Sequence, residues 1–284
     1  MTIKKLYKTT LVCGIFACFA MQGCTETNVV TKGDISCLQA DTTIALKEGS
    51  KHSPSCHVTI DFMYLKPSSK ADSLSTKINQ TLQRVTFGTD YMAMSPEKAM
   101  AKVQVQYATN YRKDLLTYYE ADLKEITGKE EMPPWYNHEY NITSELKIAR
   151  DSIYNFAVTN YQFTGGAHPN TFSNWTNISA KSGNELKKTD VFVDGSEKDI
   201  IQLIGKHLLT EVNQRLETDT ITTLQSLWDN GILLNVDLYV PDNFLITDEG
   251  ILFLYNRYDI APYAMGDFQL NIPYAEIENL MKIK

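Results

Sequence analysis

The chain has 284 residues, 27 basic and 34 acidic side chains, and a formal net charge of −7 at pH 7. That length allows one large domain or two small ones. The acidity argues against a nucleic-acid surface, and no apolar run reaches the roughly 18 residues of a transmembrane helix.

The N-terminus reads as an export signal. Lys4, Lys5 and Lys8 form a basic start, and "LVCGIFACFA" (residues 11–20) is a ten-residue apolar run, too short to span a bilayer. "MQGC" follows, and the small Gly23 ahead of Cys24 matches a lipid-attachment site in which Cys24 becomes the acylated first residue. Gln22 stands where such sites usually carry a small residue. The expectation is a signal peptide over 1–23, a polar tether over 24–34, and a body held in the cell envelope by a membrane lipid anchor on Cys24. Without the leader's three lysines the remainder has 24 basic and 34 acidic side chains, a net charge of −10. A basic partner would be drawn to such a surface. Cys37 and Cys56 are a candidate disulfide in an oxidising compartment. Against that pairing, a hairpin turning over residues 49–54 would set Cys37 opposite residues near Leu65.

Two strands are predicted around the Gly/Ser/Pro turn of "TTIALKEGSKHSPSCHVTIDFMYL", with Val58, Ile60 and Phe62 on one face. A helix follows, with Leu74, Ile78, Leu82 and Val85 as its stripe and Asp72 or Ser73 as its cap. The next helix begins with Ser95 as cap, Pro96 at its first position and Glu97 at the positive end of the dipole. Met100, Val103, Tyr107, Tyr111, Leu115, Tyr118 and Leu123 carry its stripe until Gly128, a length of about 45 Å. Tyrosines at this spacing are expected to face a sheet, the alternative being a binding surface. "EMPPWYNHEY" (residues 131–140) reads as a loop broken by Pro133 and Pro134. Strand patterns follow at Tyr154, Phe156 and Val158, and again over residues 172–178, then a turn at "KSGNEL".

A third long helix starts at Ser196 with Ile200, Ile204, Leu208 and Val212 at spacing four. "FLITDEGILFLY" (residues 244–255) is a hairpin in which Gly250 is expected to supply a positive φ. Phe268, Leu270 and Ile272 form a last strand before a short helix after Pro273. The order argues for an α+β fold, antiparallel sheets packed with a few long helices in a two-part module.

Chemistry is sparse in the pattern. The five histidines are scattered, no H-E-x-x-H or zinc-type cysteine pair occurs, and no metal or cofactor is expected. There is no G-x-S-x-G elbow and no phosphate-binding loop. "YQFTGGAHPN" (residues 161–170) reads as a tight reversal between strands, with His168 pushed to extended geometry by Pro169. The alternative makes His168 a general base or binding contact on an exposed loop.

"TGGAH" (residues 164–168), "YNRYDIAPYAMG" (residues 255–266) and "IPY" (residues 272–274) resemble the family of RsiV and the N-terminal module of PdaC. The resemblance covers about residues 55–284 and implies a PdaC-like part over 35–160 and an RsiV-like part over 161–284. RsiV-type sensors bind lysozyme through their outer domain, and PdaC-type proteins join a similar module to a separate peptidoglycan deacetylase domain. The sigma-binding segment, its membrane span and the deacetylase domain have no counterpart in this sequence. The resemblance therefore implies a non-enzymatic envelope body that binds or senses a ligand, a lysozyme-type protein or peptidoglycan. The candidate ligand contacts are Thr164, Gly165, Gly166, His168, Tyr258 and Tyr263. A hydrolytic or glycan-binding site near His168 is the rival reading.

Overall fold

A computed structural model describes residues 34–50, 53–69, 71–125, 132–234 and 236–283. The signal peptide, Cys24 and nearly all of the tether lie outside the described residues, as does Gly128. No described helix is long and apolar enough to cross a membrane.

Strands β1 (Asp34–Ala45) and β2 (Ser55–Lys66) form the expected hairpin. Cys37 faces Met63 and Cys56 faces Ile44 in its register. The thiols thus sit seven rungs apart, about 24 Å along the ladder, whereas a disulfide needs Cα atoms within about 7 Å. The candidate Cys37–Cys56 disulfide is therefore corrected: both thiols are free, Cys37 exposed and Cys56 fully buried.

Helix α1 (Ser73–Phe87) is capped by Asp72, whose carboxylate accepts from the Ser75 amide at 3.0 Å. Helix α2 (Pro96–Glu125) runs 30 residues. Its buried residues are Ala99, Val103, Tyr111 and Tyr119, while Tyr118 is 68% exposed and Leu123 is also exposed. The stripe therefore keeps a spacing of four to its end and takes Tyr119, not Tyr118. It faces a sheet: Tyr107 packs 4.5 Å from Tyr140, and Tyr111 lies 5.2 Å from His138.

Strands β3 (His138–Ala149), β4 (Ile153–Phe163), β5 (Asn170–Ser179) and the short β6 (Glu185–Leu186) complete a six-stranded sheet in the order β1-β2-β3-β4-β5-β6. The expected loop thus ends at His138, where β3 begins. All neighbours are antiparallel except β2 and β3, which run parallel, with α1 and α2 between them in the chain. Those helices cover one face, burying Val58, Ile60, Phe62, Ile78, Leu82 and Phe156.

After a single turn, α3 (Lys188–Val191), helix α4 (Glu197–Arg215) lays Ile200, Ile204, Leu208 and Val212 on a second core. Helix α5 (Leu224–Asp229) precedes strands β7 (Phe244–Ile246), β8 (Gly250–Tyr255) and β9 (Phe268–Pro273), which form a three-stranded antiparallel sheet, and α6 (Tyr274–Ile277) follows. Gly250 occupies its position for a reason other than the expected positive φ. A Cβ there would stand 2.2 Å from the Ile272 carbonyl oxygen, so only glycine lets β8 approach β9.

Asparagine side chains join the two sheets. Asn177 of β5 donates to the Phe244 carbonyl and accepts from the Ile246 amide, each at 2.8 Å. In return Asn256 accepts from the Ser173 amide at 2.7 Å and donates to its carbonyl at 3.0 Å. Asn243 accepts from the Trp175 backbone amide at 2.9 Å. Each amide thus does the work of a missing neighbouring strand at an open edge.

Candidate functional site

The β4–β5 connection, residues 164–169, is a hairpin tip, as its sequence suggests. Gly165 has φ +79°, and a Cβ there would fall 2.4 Å from the Trp135 Cα. The tip therefore lies directly against the Pro-Pro-Trp turn, and Gly165 is required both for its backbone angle and for that contact. Gly166 is different, because a Cβ there meets nothing within 4 Å. The Trp135 turn is itself held from below: Tyr111 donates to the Tyr136 carbonyl at 2.7 Å, and Tyr136 donates to Asp122 at 2.7 Å.

The second segment, residues 256–266, is fixed by local bonds. The Asn256 amide donates to Asp259 Oδ2 at 2.7 Å, and the Asp259 amide returns a bond to the Asn256 carbonyl at 3.0 Å. Burial raises the Asp259 carboxyl above its ordinary value, partly offset by that amide bond. Inside this turn Tyr258 adopts φ +70°, which directs its ring outward at 53% exposure. At the far end Arg215 donates to the Met265 carbonyl at 2.7 Å and covers the Phe268 ring at 4.4 Å.

The Asn256–Ser173 clamp brings these two segments side by side. The His168 ring stacks on Tyr263 with centroids 4.1 Å apart and planes 23° apart. Tyr258 lies 5.7 Å from the same ring. The Arg257 guanidinium sits 4.8 Å from the Tyr263 centroid and donates to its hydroxyl at 3.0 Å. The hydroxyl in turn approaches the Pro169 carbonyl at 3.4 Å. Of the six candidate contacts, His168, Tyr258 and Tyr263 thus form one aromatic ledge. Gly165 positions the tip, and Thr164 and Gly166 are exposed upon it.

Arg257 and Trp135 were not singled out in the sequence. Arg257 was hidden inside the "NRYDIAPYAMG" motif, and Trp135 lay in a proline-broken loop far along the chain from the tip.

Chemically the ledge offers ring faces, one guanidinium and one imidazole. His168 Nδ1 lies 3.1 Å from the Pro169 carbonyl, and the residue is exposed. Among the described residues no carboxylate bonds it, so a histidine–acid pair for hydrolysis is not assembled there. No group of three or more His, Cys, Asp or Glu side chains among the described residues could hold a metal ion.

Comparisons with known proteins agree with this architecture. A family model described as Deacetylase PdaC matches residues 50–171, and one described as a protein of unknown function, DUF3298, matches residues 189–275. No curated protein matches the chain significantly. The crystal structure of a DUF3298 family member from Bacteroides fragilis is similar at a TM-score of 0.77 and 26% identity, covering 89% of this chain and 95% of that one. A DUF3298 family protein from Pseudomonas aeruginosa shares the fold at a TM-score of 0.58 and 15% identity, covering 90% of this chain and 97% of its own. The chain is thus an α+β protein similar to PdaC over residues 50–171 and to the DUF3298 family over residues 189–275.

Proposed function

We propose that this module is a non-enzymatic binding or sensing body of the cell envelope, tethered by lipid at Cys24, and that the ledge of Tyr258, Tyr263 and His168 is its contact surface. The observation that carries the reading is the His168–Tyr263 stack, which joins two motifs 95 residues apart into one aromatic surface, with His168 and Tyr258 exposed, Tyr263 half-buried between them and Arg257 beside it. Tyrosine and arginine are the side chains that most often anchor protein interfaces, because they bring large, rigid contact area with a polar handle. The resemblance to lysozyme-binding sensors suggests a basic, lysozyme-type protein as the partner. The acidic charge of the body would speed the encounter with such a protein.

The test is binding of the purified body to C-type lysozyme at two salt concentrations, with cytochrome c as a basic control. Saturable, lysozyme-specific binding should survive moderate salt. Tyr263→Ala should weaken it by about 2 kcal/mol or more, as for an anchoring aromatic residue. Binding equal to the control, or lost as salt rises, would reduce the effect to charge attraction and remove lysozyme from the reading.

A further inference from the structure

The bare face of the large sheet holds a second feature, separate from the ledge and independent of its role. Opposite the helix-covered face, β3, β4 and β5 form the floor of an open cleft of about 670 Å³, and the three-stranded sheet supplies its other wall through Leu245 and Leu252. The volume lies within the ~300–1,000 Å³ range of small-ligand sites.

The floor follows from strand register. Ala157 is paired with Trp175, so one of the floor's two alanines stands beside its largest side chain and leaves the indole accessible. The Trp175 indole N–H has no protein partner among the described residues. On the next rung Thr159 and Ser173 face each other with hydroxyls 2.7 Å apart, and Thr143 of β3 lies beside them. On the other side stands Asn155, only 8% exposed. It donates its amide to Asn177 at 2.8 Å, and its Oδ1 has no protein partner among the described residues. That oxygen is open to solvent on the cleft side, so it is available to accept from a ligand donor.

The charges around this floor sum to a net negative. Lys147 pairs with Glu145 at 2.7 Å, and Asp248, which accepts the Arg150 backbone amide at 2.7 Å, keeps its negative charge. Among the described residues lining the cleft, an anionic ligand therefore meets no unpaired cation and one repelling carboxylate. A peptide strand finds no ladder either, because the floor is a sheet face whose backbone groups are spent on neighbouring strands. Hydroxyls, an amide oxygen and an accessible indole suit a neutral molecule rich in hydroxyl groups, with an apolar ring face to lay on the tryptophan.

From this juxtaposition we infer that the cleft is a binding site for a neutral saccharide, with Trp175 as its stacking platform and Asn155, Thr143 and Thr159 as its polar contacts. The experiment titrates the purified protein by calorimetry and tryptophan fluorescence with cellotetraose and chitotetraose as neutral probes and tetragalacturonate as an anionic one. At least one neutral probe should bind saturably at about millimolar concentration, and tetragalacturonate should not. Trp175→Ala should weaken binding at least about tenfold. Ala157→Leu should do the same with the indole still present, by covering its face. Tyr263→Ala should leave it unchanged, which separates this cleft from the ledge. The inference is overturned if neither neutral probe binds at about 10 mM, a concentration at which only negligible affinity would escape detection. It is equally overturned if tetragalacturonate binds as well as the neutral probes. Wild-type affinity in either folded variant also overturns it, fold being checked by thermal unfolding.

Discussion

Asn177→Ala should be among the most damaging single changes in the protein, although it removes a small polar side chain. Asn177 is 1% exposed and makes three bonds at 2.8 Å, to the Phe244 carbonyl, the Ile246 amide and the Asn155 amide. Phe244 and Ile246 are 2% and 0% exposed, so water cannot readily replace the lost partner. Alanine would strand one buried carbonyl and one buried N–H, each costing about 1–3 kcal/mol. The sum is about 2–6 kcal/mol, a large part of the roughly 5–15 kcal/mol that holds a domain folded. With a urea m-value of about 3 kcal/mol/M, the unfolding midpoint should fall by about 0.7–2 M, at unchanged slope. Asn177→Asp should do no better at neutral pH, because it keeps the acceptor for Ile246 and turns a second acceptor onto the Phe244 carbonyl. The assay is equilibrium urea unfolding followed by tryptophan fluorescence. A cost below about 1 kcal/mol for alanine, or wild-type stability for aspartate, would show that the asparagine clamps do not hold the sheets together.

Three further changes probe other features. Gly165→Ala should destabilise by about 2 kcal/mol or more, through its positive φ and the clash with Trp135, whereas Gly166→Ala should be near neutral; the same urea assay distinguishes them. Asp72 accepts from the amides and hydroxyls of Ser75 and Ser68, which lower its pKa to about 2. Its folded value lies below its unfolded one, so its contribution is complete above about pH 4 and is lost as pH falls towards 2. Asp72→Asn should flatten stability against pH in that window and leave the profile above it unchanged. Desolvation also lowers the pKa of His138, against a smaller opposing effect of Asp114, and its Nδ1 is buried without a partner. Its contribution is present above about pH 6.5 and declines as pH falls. Replacing it with phenylalanine should remove that slope in unfolding midpoints measured between about pH 7 and 5.

The helices were legible because each carries its own period and caps. Ile200, Ile204, Leu208 and Val212 needed no partner to be read, nor did Asp72 at the start of α1. The error on α2 lay between adjacent tyrosines: Tyr118 and Tyr119 fit a helical stripe almost equally well, and the sheet beneath decides between them. Features set by distant chain were not legible. Alternation in β2 is the same whether its neighbour runs parallel or antiparallel. Gly250 resembled a turn glycine, yet its constraint comes from Ile272 on the next strand. The ledge was half legible. Both motifs stood out, but their meeting depends on Asn256, which reads in sequence as an ordinary loop asparagine.

The parallel pairing of β2 with β3 bears on how the chain is made. Partners such as Thr59 and Asn141 are 82 residues apart, with both long helices between them. As the polypeptide leaves the ribosome or an export channel, the β1–β2 hairpin is complete long before β3 appears. Its inner edge, which later becomes the middle of the sheet, then stands open with half its ladder unmet. Loop closure over that span is slow compared with hairpin formation, so the nascent chain must cross an interval in which it is prone to pair with another copy. The twelve-residue β2, with Val58, Ile60 and Phe62 uncovered until α1 and α2 dock, is the segment a holding chaperone would be required to shield.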